Sequence, residues 1–132
     1  MLLSEHKNSR FQGSAGLGSA IDFFTRSGFV VSIPLNDSQG YDLIIDIKGD
    51  LKKVQVKTTC SKAPSGAYSV SLRTTGGNQS FSYAKPFDNK KCDILFILTK
   101  SSEKYIIPTE KIKNINRINL SGKYLEYRVD YG

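Results

Sequence analysis

The chain has 132 residues, 39% apolar and 23% charged, the make-up of one soluble domain able to bury a core without a disulfide or metal staple. Nineteen Lys and Arg against twelve Asp and Glu leave a net charge of +7, which suits a polyanionic partner, although a merely basic surface has the same composition. One His, His6, and two Cys with no CxxC pair exclude His-centred catalysis, a disulfide framework and a structural zinc cluster.

Met1-Leu2-Leu3 is too short an apolar run for a signal peptide, and no run approaches the ~20 residues that span a bilayer. Cys60 and Cys92 lie in or at the end of apolar runs. The expectation is a cytoplasmic protein with reduced core thiols and no membrane contact.

Residues 4–12 read as a polar, basic arm or a frayed helix start. From Gly13 to Ser27, Ala15, Leu17, Ala20, Ile21, Phe23 and Phe24 recur at the spacing of one buried helix face. Gly13, Gly16 and Gly18 weaken that helix by up to ~1 kcal/mol each, so close approach of a neighbouring segment is expected there. Gly28 is a helix stop. Phe29 to Pro34 follows as a strand, then the loop LNDSQG from Leu35 to Gly40. Two strands, about 41–48 and 51–60, form a hairpin around Lys48-Gly49-Asp50.

Residues 61–67 form a polar loop. Tyr68 to Thr74 alternates, with Tyr68, Val70 and Leu72 on one face and Ser69, Ser71 and Arg73 on the other. Residues 75–91 read as a long functional or flexible loop. Cys92 to Leu98 is the most apolar run and is expected as a central strand covered on both faces. Lys104 to Pro108 is a short strand, Thr109 an N-cap for a short helix through Lys113, and Tyr124 to Val129 a last strand. No repeat or linker divides the chain, so residues 1–132 are expected as one domain.

Three polar residues interrupt the apolar hairpin: Asp42, Gln55 and Lys57. Pairing about the turn brings residue 42 opposite residue 56, within a residue or so. Gln55 and Lys57 leave one face of their strand and Val54 and Val56 the other. A carboxylate, an amide oxygen and an ammonium so placed suit a Mg²⁺ phosphodiesterase centre, with Mn²⁺ able to substitute. Asp42 would be the anionic ligand, Gln55 a neutral ligand and the Val56 carbonyl a third. Lys57 would stabilise charge on the scissile phosphate or position the attacking water, and the metal would polarise the phosphoryl group. The same residues equally fit a surface ion pair between Asp42 and Lys57 beside an exposed Gln, stabilising by about 0.2–1 kcal/mol.

Other acids fit structural roles. Asp37, Asp46 and Asp50 read as turn or solvated residues, and Asp93 as a strand cap or ion-pair partner. Gly76-Gly77 is a turn, not a phosphate-cradling loop. Lys7, Arg10, Lys62, Arg73 and Lys85, with the polar Ser38, Gln39, Thr58 and Asn78, are candidate nucleic-acid contacts, and Lys53, Lys90 and Lys91 add charge. Phe81, Tyr83 and Phe87 fit a cover over the core better than base stacking.

The order helix, SIPLNDSQ, YDLIIDIKGDLKKVQVKTT resembles the PD-(D/E)XK nuclease superfamily, in particular its group I intron-associated, homing-type endonucleases. Archaeal Holliday-junction resolvases are more distantly similar. The resemblance is strongest from Gly13 to Thr59; KPFD and the YIIP strand are softer matches. It implies a restriction-endonuclease-like fold of the α/β type, a mixed β-sheet flanked by helices with the site on a central hairpin. It puts the first acid on Asp42, the D/E position on Gln55 and the lysine on Lys57. Gln for Glu departs from the superfamily pattern, and the intron-associated branch tolerates it. It also implies an acid in the first helix, where this chain reads Gly16-Leu17; Glu5 and Asp22 lie elsewhere.

The expected activity is metal-dependent cleavage of double-stranded DNA by a homodimer or homotetramer, associated with the nucleoid when on DNA. The alternatives are a DNA-binding protein that has lost catalysis on the same fold, and a nuclease specific for Holliday junctions or structured RNA.

Overall fold

The computed structural model describes residues 9–36, 40–78 and 81–129. Helix α1 (Ser9–Arg26) starts within the segment expected as an arm or a frayed helix start, and it buries the anticipated face except Ala15, which is exposed. Gly16, Ala20, Phe23 and Phe24 are buried, with Leu17 and Ile21 half-buried between them. Its end is a Schellman turn: Phe29 N–H bonds Phe24 O at 3.1 Å, and Gly28 N–H bonds Thr25 O at 3.0 Å. Gly28 sits at φ +89°, where a Cβ is disfavoured. The Phe24 and Phe29 rings, 6.5 Å apart, supply the hydrophobic contact of that motif.

Ten strands follow: β1 (Val30–Ser32), β2 (Leu43–Ile47), β3 (Asp50–Thr59), β4 (Ser69–Ser71), β5 (Thr74–Asn78), β6 (Phe81–Lys85), β7 (Ile94–Thr99), β8 (Lys104–Pro108), β9 (Arg117–Asn119) and β10 (Arg128–Val129). The main sheet runs β1-β2-β3-β7-β8-β10. All its pairs are antiparallel except β3 with β7. Lys48 and Gly49, at φ 54° and 92°, join β2 to β3 in the two-residue turn whose twist matches a hairpin.

The sheet has a core on each face. On one, Phe23 and Phe24 pack on Leu43, Ile45, Val54, Phe96 and Leu98. Phe96 lies 5.7 Å from Phe24 and 6.1 Å from Phe23, ring centre to ring centre. Truncating a buried Phe of this kind to Ala costs about 3–5 kcal/mol. On the other face Leu95, Ile97, Tyr105 and Ile107 meet Val70, Leu72, Phe87, Ile112, Ile118 and Leu120. Strand β7 is therefore central and covered on both sides, as its run of apolar residues implies. The second cover is the β4-β9 pair with neighbouring loops. Among the described residues α1 is the one α-helix.

Several sequence expectations are corrected. Residues 75–91 are not one loop, since β5 pairs with β6, and Gly76 and Gly77 lie inside that ladder opposite Tyr83 and Ser82. Two consecutive glycines hid the strand because they carry no side-chain signal. Phe87 is buried in the core. Thr109 is no N-cap: Pro108 precedes a 3-10 turn at Thr109–Lys111, and the Thr109 hydroxyl donates instead to Cys92 O at 2.6 Å. Most of 124–129 is a 3-10 helix (Gly122–Tyr127), leaving only Arg128 and Val129 to pair with β8. Strand β9 carries too few apolar residues to stand out. Of the three helical glycines only Gly16 is at a close approach; a Cβ on Gly13 or Gly18 meets nothing within 4 Å. A Cβ on Gly16 would lie 2.5 Å from Thr58 Cγ2 and 3.2 Å from Val56 Cγ1.

Candidate active site

The regular β2-β3 ladder ends where Leu43 faces Val54. The Asp42 N–H also bonds Val54 O, at 2.8 Å. Two successive residues of one strand thus meet one residue of the other, as at a β-bulge, which re-aims the side chains beyond it. The effect is visible in packing. Leu43 belongs to the core under α1, whereas Tyr41, two residues earlier, packs on the opposite core. Here β2 has peeled away, and the backbone of β3 at Val56 has no partner strand on that side.

Asp42 fills the gap. Its Oδ2 accepts the Val56 N–H at 2.8 Å, a charge-assisted bond that fixes the carboxylate on β3. In an extended strand the N–H and C=O of one residue point to the same side, so the Val56 carbonyl faces the same gap. Val54 and Val56 pack toward α1. Gln55 and Lys57 pair with Leu95 and Ile97 of β7 and share their face. Gln55 is only 9% exposed. Among the described residues none hydrogen-bonds its side-chain amide, and the amide is not sealed from solvent.

Lys57 is half-buried, and its Nζ donates to Arg73 O at 3.1 Å. Burial pushes its pKa down from the ordinary 10.5, while the Asp42 charge pulls the other way. Behind it the Cys92 thiol is pushed up to about 11, first by burial and then by Asp93 and Asp42. Asp93 Oδ2 caps the Lys53 N–H at 2.9 Å, so it is structural. Lys53 Nζ lies over the Tyr41 ring at 5.3 Å.

The surface ion-pair alternative does not match this arrangement. Among the described residues the ion pairs are Arg26 with Asp22, Lys52 with Asp50 and Arg128 with Glu103. Asp42 bonds the Val56 N–H, Lys57 bonds Arg73 O, and Gln55 is buried rather than exposed.

The donor set fits a divalent cation of one kind. One carboxylate, one unpartnered amide and one carbonyl suit a hard ion that keeps several waters, and cannot form an all-protein cage. Among the described residues no three His, Cys, Asp or Glu side chains cluster. Asp22 of α1 is exposed and bonded to Arg26, so it does not replace the acid missing at Gly16-Leu17.

The other candidate residues scatter. Lys7, Asp37, Ser38 and Gln39 lie outside the described residues, and so does Glu5. Arg10 is exposed on the first turn of α1. Thr58 turns its methyl toward Gly16, on the sheet face opposite Gln55 and Lys57. Lys62 Nζ covers the Tyr68 ring at 5.1 Å. Asn78 ends β5. Lys85 lines a shallow cleft of ≈ 560 Å³ with Lys91 and Lys113. Lys91 of that cleft packs on Gly40, two residues before Asp42, where an added Cβ would sit 2.8 Å from Lys91 Cβ. Among the described residues Arg73 is the expected contact that bonds the central lysine, and it does so through its backbone. Asn116, which holds Arg73, carries no signal in the sequence, because it lies 43 positions away from its partner.

A family model described as PD-(D/E)XK endonuclease matches residues 7–123. The chain is similar to the solved structure of a bacterial homing endonuclease, I-Ssp6803I, at 26% identity and a TM-score of 0.77, over 92% of this chain and 88% of that one. No curated protein matches the sequence. Among the described residues no helix is long and apolar enough to cross a membrane.

Proposed function

The chain belongs to the PD-(D/E)XK endonuclease family, and we propose that within it the chain is a divalent-metal-dependent endonuclease that hydrolyses phosphodiester bonds of double-stranded DNA. Nuclease function rests on the family match and on the likeness to a homing endonuclease. The observation that carries the finer reading is the Asp42 carboxylate fixed on the Val56 N–H, between a buried Gln55 whose amide has no partner among the described residues and a half-buried Lys57.

Asp42, Gln55 and the Val56 carbonyl would hold the cation, Mg²⁺ in the cell with Mn²⁺ as a substitute. When bound, such an ion polarises the phosphoryl oxygen and acidifies a coordinated water. The chain's own residues do the rest. Asp42 is locked by Val56, so its free oxygen keeps one direction. Lys57 brings a positive charge beside the scissile phosphate, where partial burial strengthens its field. The net charge of +7 and the Lys85, Lys91 and Lys113 cleft favour a phosphate backbone alongside. The expected DNA contacts at Lys7, Arg10, Ser38, Gln39, Thr58, Lys62, Arg73, Asn78 and Lys85 belong to this reading, with the placements given above. So do a homodimer or homotetramer, which could cut both strands, and an intracellular place on the nucleoid.

Cleavage of plasmid DNA with Mg²⁺ or Mn²⁺ tests the proposal, comparing the native chain with Asp42→Ala and Lys57→Ala. Nicking by the native chain that both variants lose is the expected result. One observation favours a second reading: among the described residues no three His, Cys, Asp or Glu side chains cluster, and so thin a ligand set fits a protein that binds DNA without cutting it. DNA binding with no nicking under either metal would establish that reading.

A further inference from the structure

We propose that Asn116 is a positioning residue for Lys57, acting through the backbone carbonyl of Arg73. The inference rests on the nuclease reading of Lys57. The Lys57 ammonium ends a flexible four-carbon stem and has three donors. One of them goes to Arg73 O at 3.1 Å, which leaves two for substrate. An anchor of this kind orients the ammonium only if the carbonyl is itself held.

Arg73 lies between β4 and β5 and belongs to neither strand. Asn116 holds this segment at two adjacent residues. Its backbone carbonyl accepts the Leu72 N–H at 2.9 Å, and its side-chain oxygen, the one contact specific to Asn, accepts Arg73 Nη1 at 2.7 Å. The adjacent Ile115 carbonyl accepts the Phe87 N–H at 2.7 Å. Leu72 and Phe87 flank the β5-β6 hairpin in sequence, and both are buried in the core. Residues 115 and 116 thus pin both ends of the segment that carries the hairpin. The Arg73 carbonyl is set over Lys57 as a consequence. A displacement of about 1 Å at a reacting group can cost 10²-fold in rate, so a loosened anchor acts on turnover rather than on DNA affinity.

The test compares single-turnover cleavage of plasmid DNA, and metal-free DNA affinity, for the native chain, Asn116→Ala, Asn116→Asp and Asn116→Ala combined with Lys57→Met. Asn116→Asp keeps an oxygen for Arg73. The expected result is cleavage slowed about 10- to 100-fold in Asn116→Ala, with unchanged affinity and circular dichroism, and near-native cleavage in Asn116→Asp. In the Lys57→Met background Asn116→Ala adds no further loss, because the two act as one unit. A native rate in Asn116→Ala, or an equal loss in both backgrounds, overturns the proposal.

A second readout does not need cleavage. In protein carrying labelled lysine, the two Lys57 ε-methylene protons are inequivalent while the ammonium is held. They merge in Asn116→Ala and stay distinct in Asn116→Asp. Unaltered Lys57 signals in Asn116→Ala overturn the link even where cleavage falls. If the native chain binds DNA and never cuts it, the nuclease reading is lost, and the lysine signals alone decide whether Asn116 sets Lys57.

Discussion

The Asp42 carboxylate accepts the backbone N–H of Val56, the residue between Gln55 and Lys57, at 2.8 Å. One acid is thereby both a candidate ligand and the clamp that ends the β2-β3 ladder. The two roles separate by substitution. Asp42→Asn keeps an oxygen for Val56 and loses the charge, whereas Asp42→Ala loses both. Both are expected to cut cleavage at least about 10²-fold, since charge stabilisation at the reacting phosphate goes with the carboxylate. Only Asp42→Ala should also lower stability, by roughly 1 kcal/mol, because the bond lies at the surface and the exposed N–H can turn to water. Urea unfolding of the two variants checks this, and equal stability would deny the clamp.

Gly16→Ala and Gly13→Ala should move stability in opposite directions. At an open helical position the change from Gly to Ala stabilises by up to ~1 kcal/mol, and Gly13 and Gly18 are open. At Gly16 the new methyl would meet Thr58 Cγ2 at 2.5 Å and Val56 Cγ1 at 3.2 Å. Overpacking of this kind costs about 1–3 kcal/mol, and it presses on β3 on either side of Lys57. Thr58→Ser removes the obstructing methyl and should recover much of the loss in the double variant. Thermal melts of the three proteins decide it; a Gly16→Ala chain as stable as Gly13→Ala would show that α1 simply shifts.

These two sites show what a sequence can and cannot carry. The D…QxK pattern, the alternation of Val54 and Val56 against Gln55 and Lys57, and the hairpin at Lys48-Gly49-Asp50 are all local, and each is readable. So is β7, whose unbroken apolar run requires cover on both faces. The bulge at Asp42 is not, because it depends on β2 parting from β3. Gly13, Gly16 and Gly18 look alike in the sequence, and only the docking of α1 on Thr58 distinguishes them. The β5-β6 hairpin was lost to its own glycines, and Asn116 to its distance from Arg73. Side chains that act through another segment's backbone leave no motif.

Titration of Cys92 should appear in the pH dependence of stability. Its folded pKa is raised from 9.0 to about 11, chiefly by burial. A raised value means that the stabilising share is complete below the unfolded pKa and is lost as pH climbs through the folded one. Lys57 works against it: its folded pKa is lowered from 10.5, so stability from that group rises with pH just below 10.5. The two slopes oppose in the native chain, and a single variant is needed to see either. The stability gap between the native chain and Cys92→Ala is expected to narrow from pH 9 to pH 11. A gap that is flat over that range would place the thiol in a more solvated site. Alkylation at pH 8 should label the half-buried Cys60 and spare Cys92 until the chain unfolds.

Gln55→Glu is the substitution that most directly probes the thin ligand set. The amide stands on the face of Lys57, nearly buried and without a partner among the described residues. A carboxylate there would be costly alone, since burial disfavours its charge. A bound divalent cation offsets that cost, and Lys57 two residues along helps. Mn²⁺ should therefore bind Gln55→Glu about tenfold or more tighter than the native chain, because hard cations are held chiefly by anionic oxygens. Without metal the variant should be less stable than the native chain, and adding Mn²⁺ should raise its melting temperature by more than it raises the native one. Calorimetric titration and melts with and without Mn²⁺ measure both. A variant that binds Mn²⁺ no better than the native chain would mean that the Gln55 side chain points away from the ion, leaving Asp42 and the Val56 carbonyl as its only protein ligands.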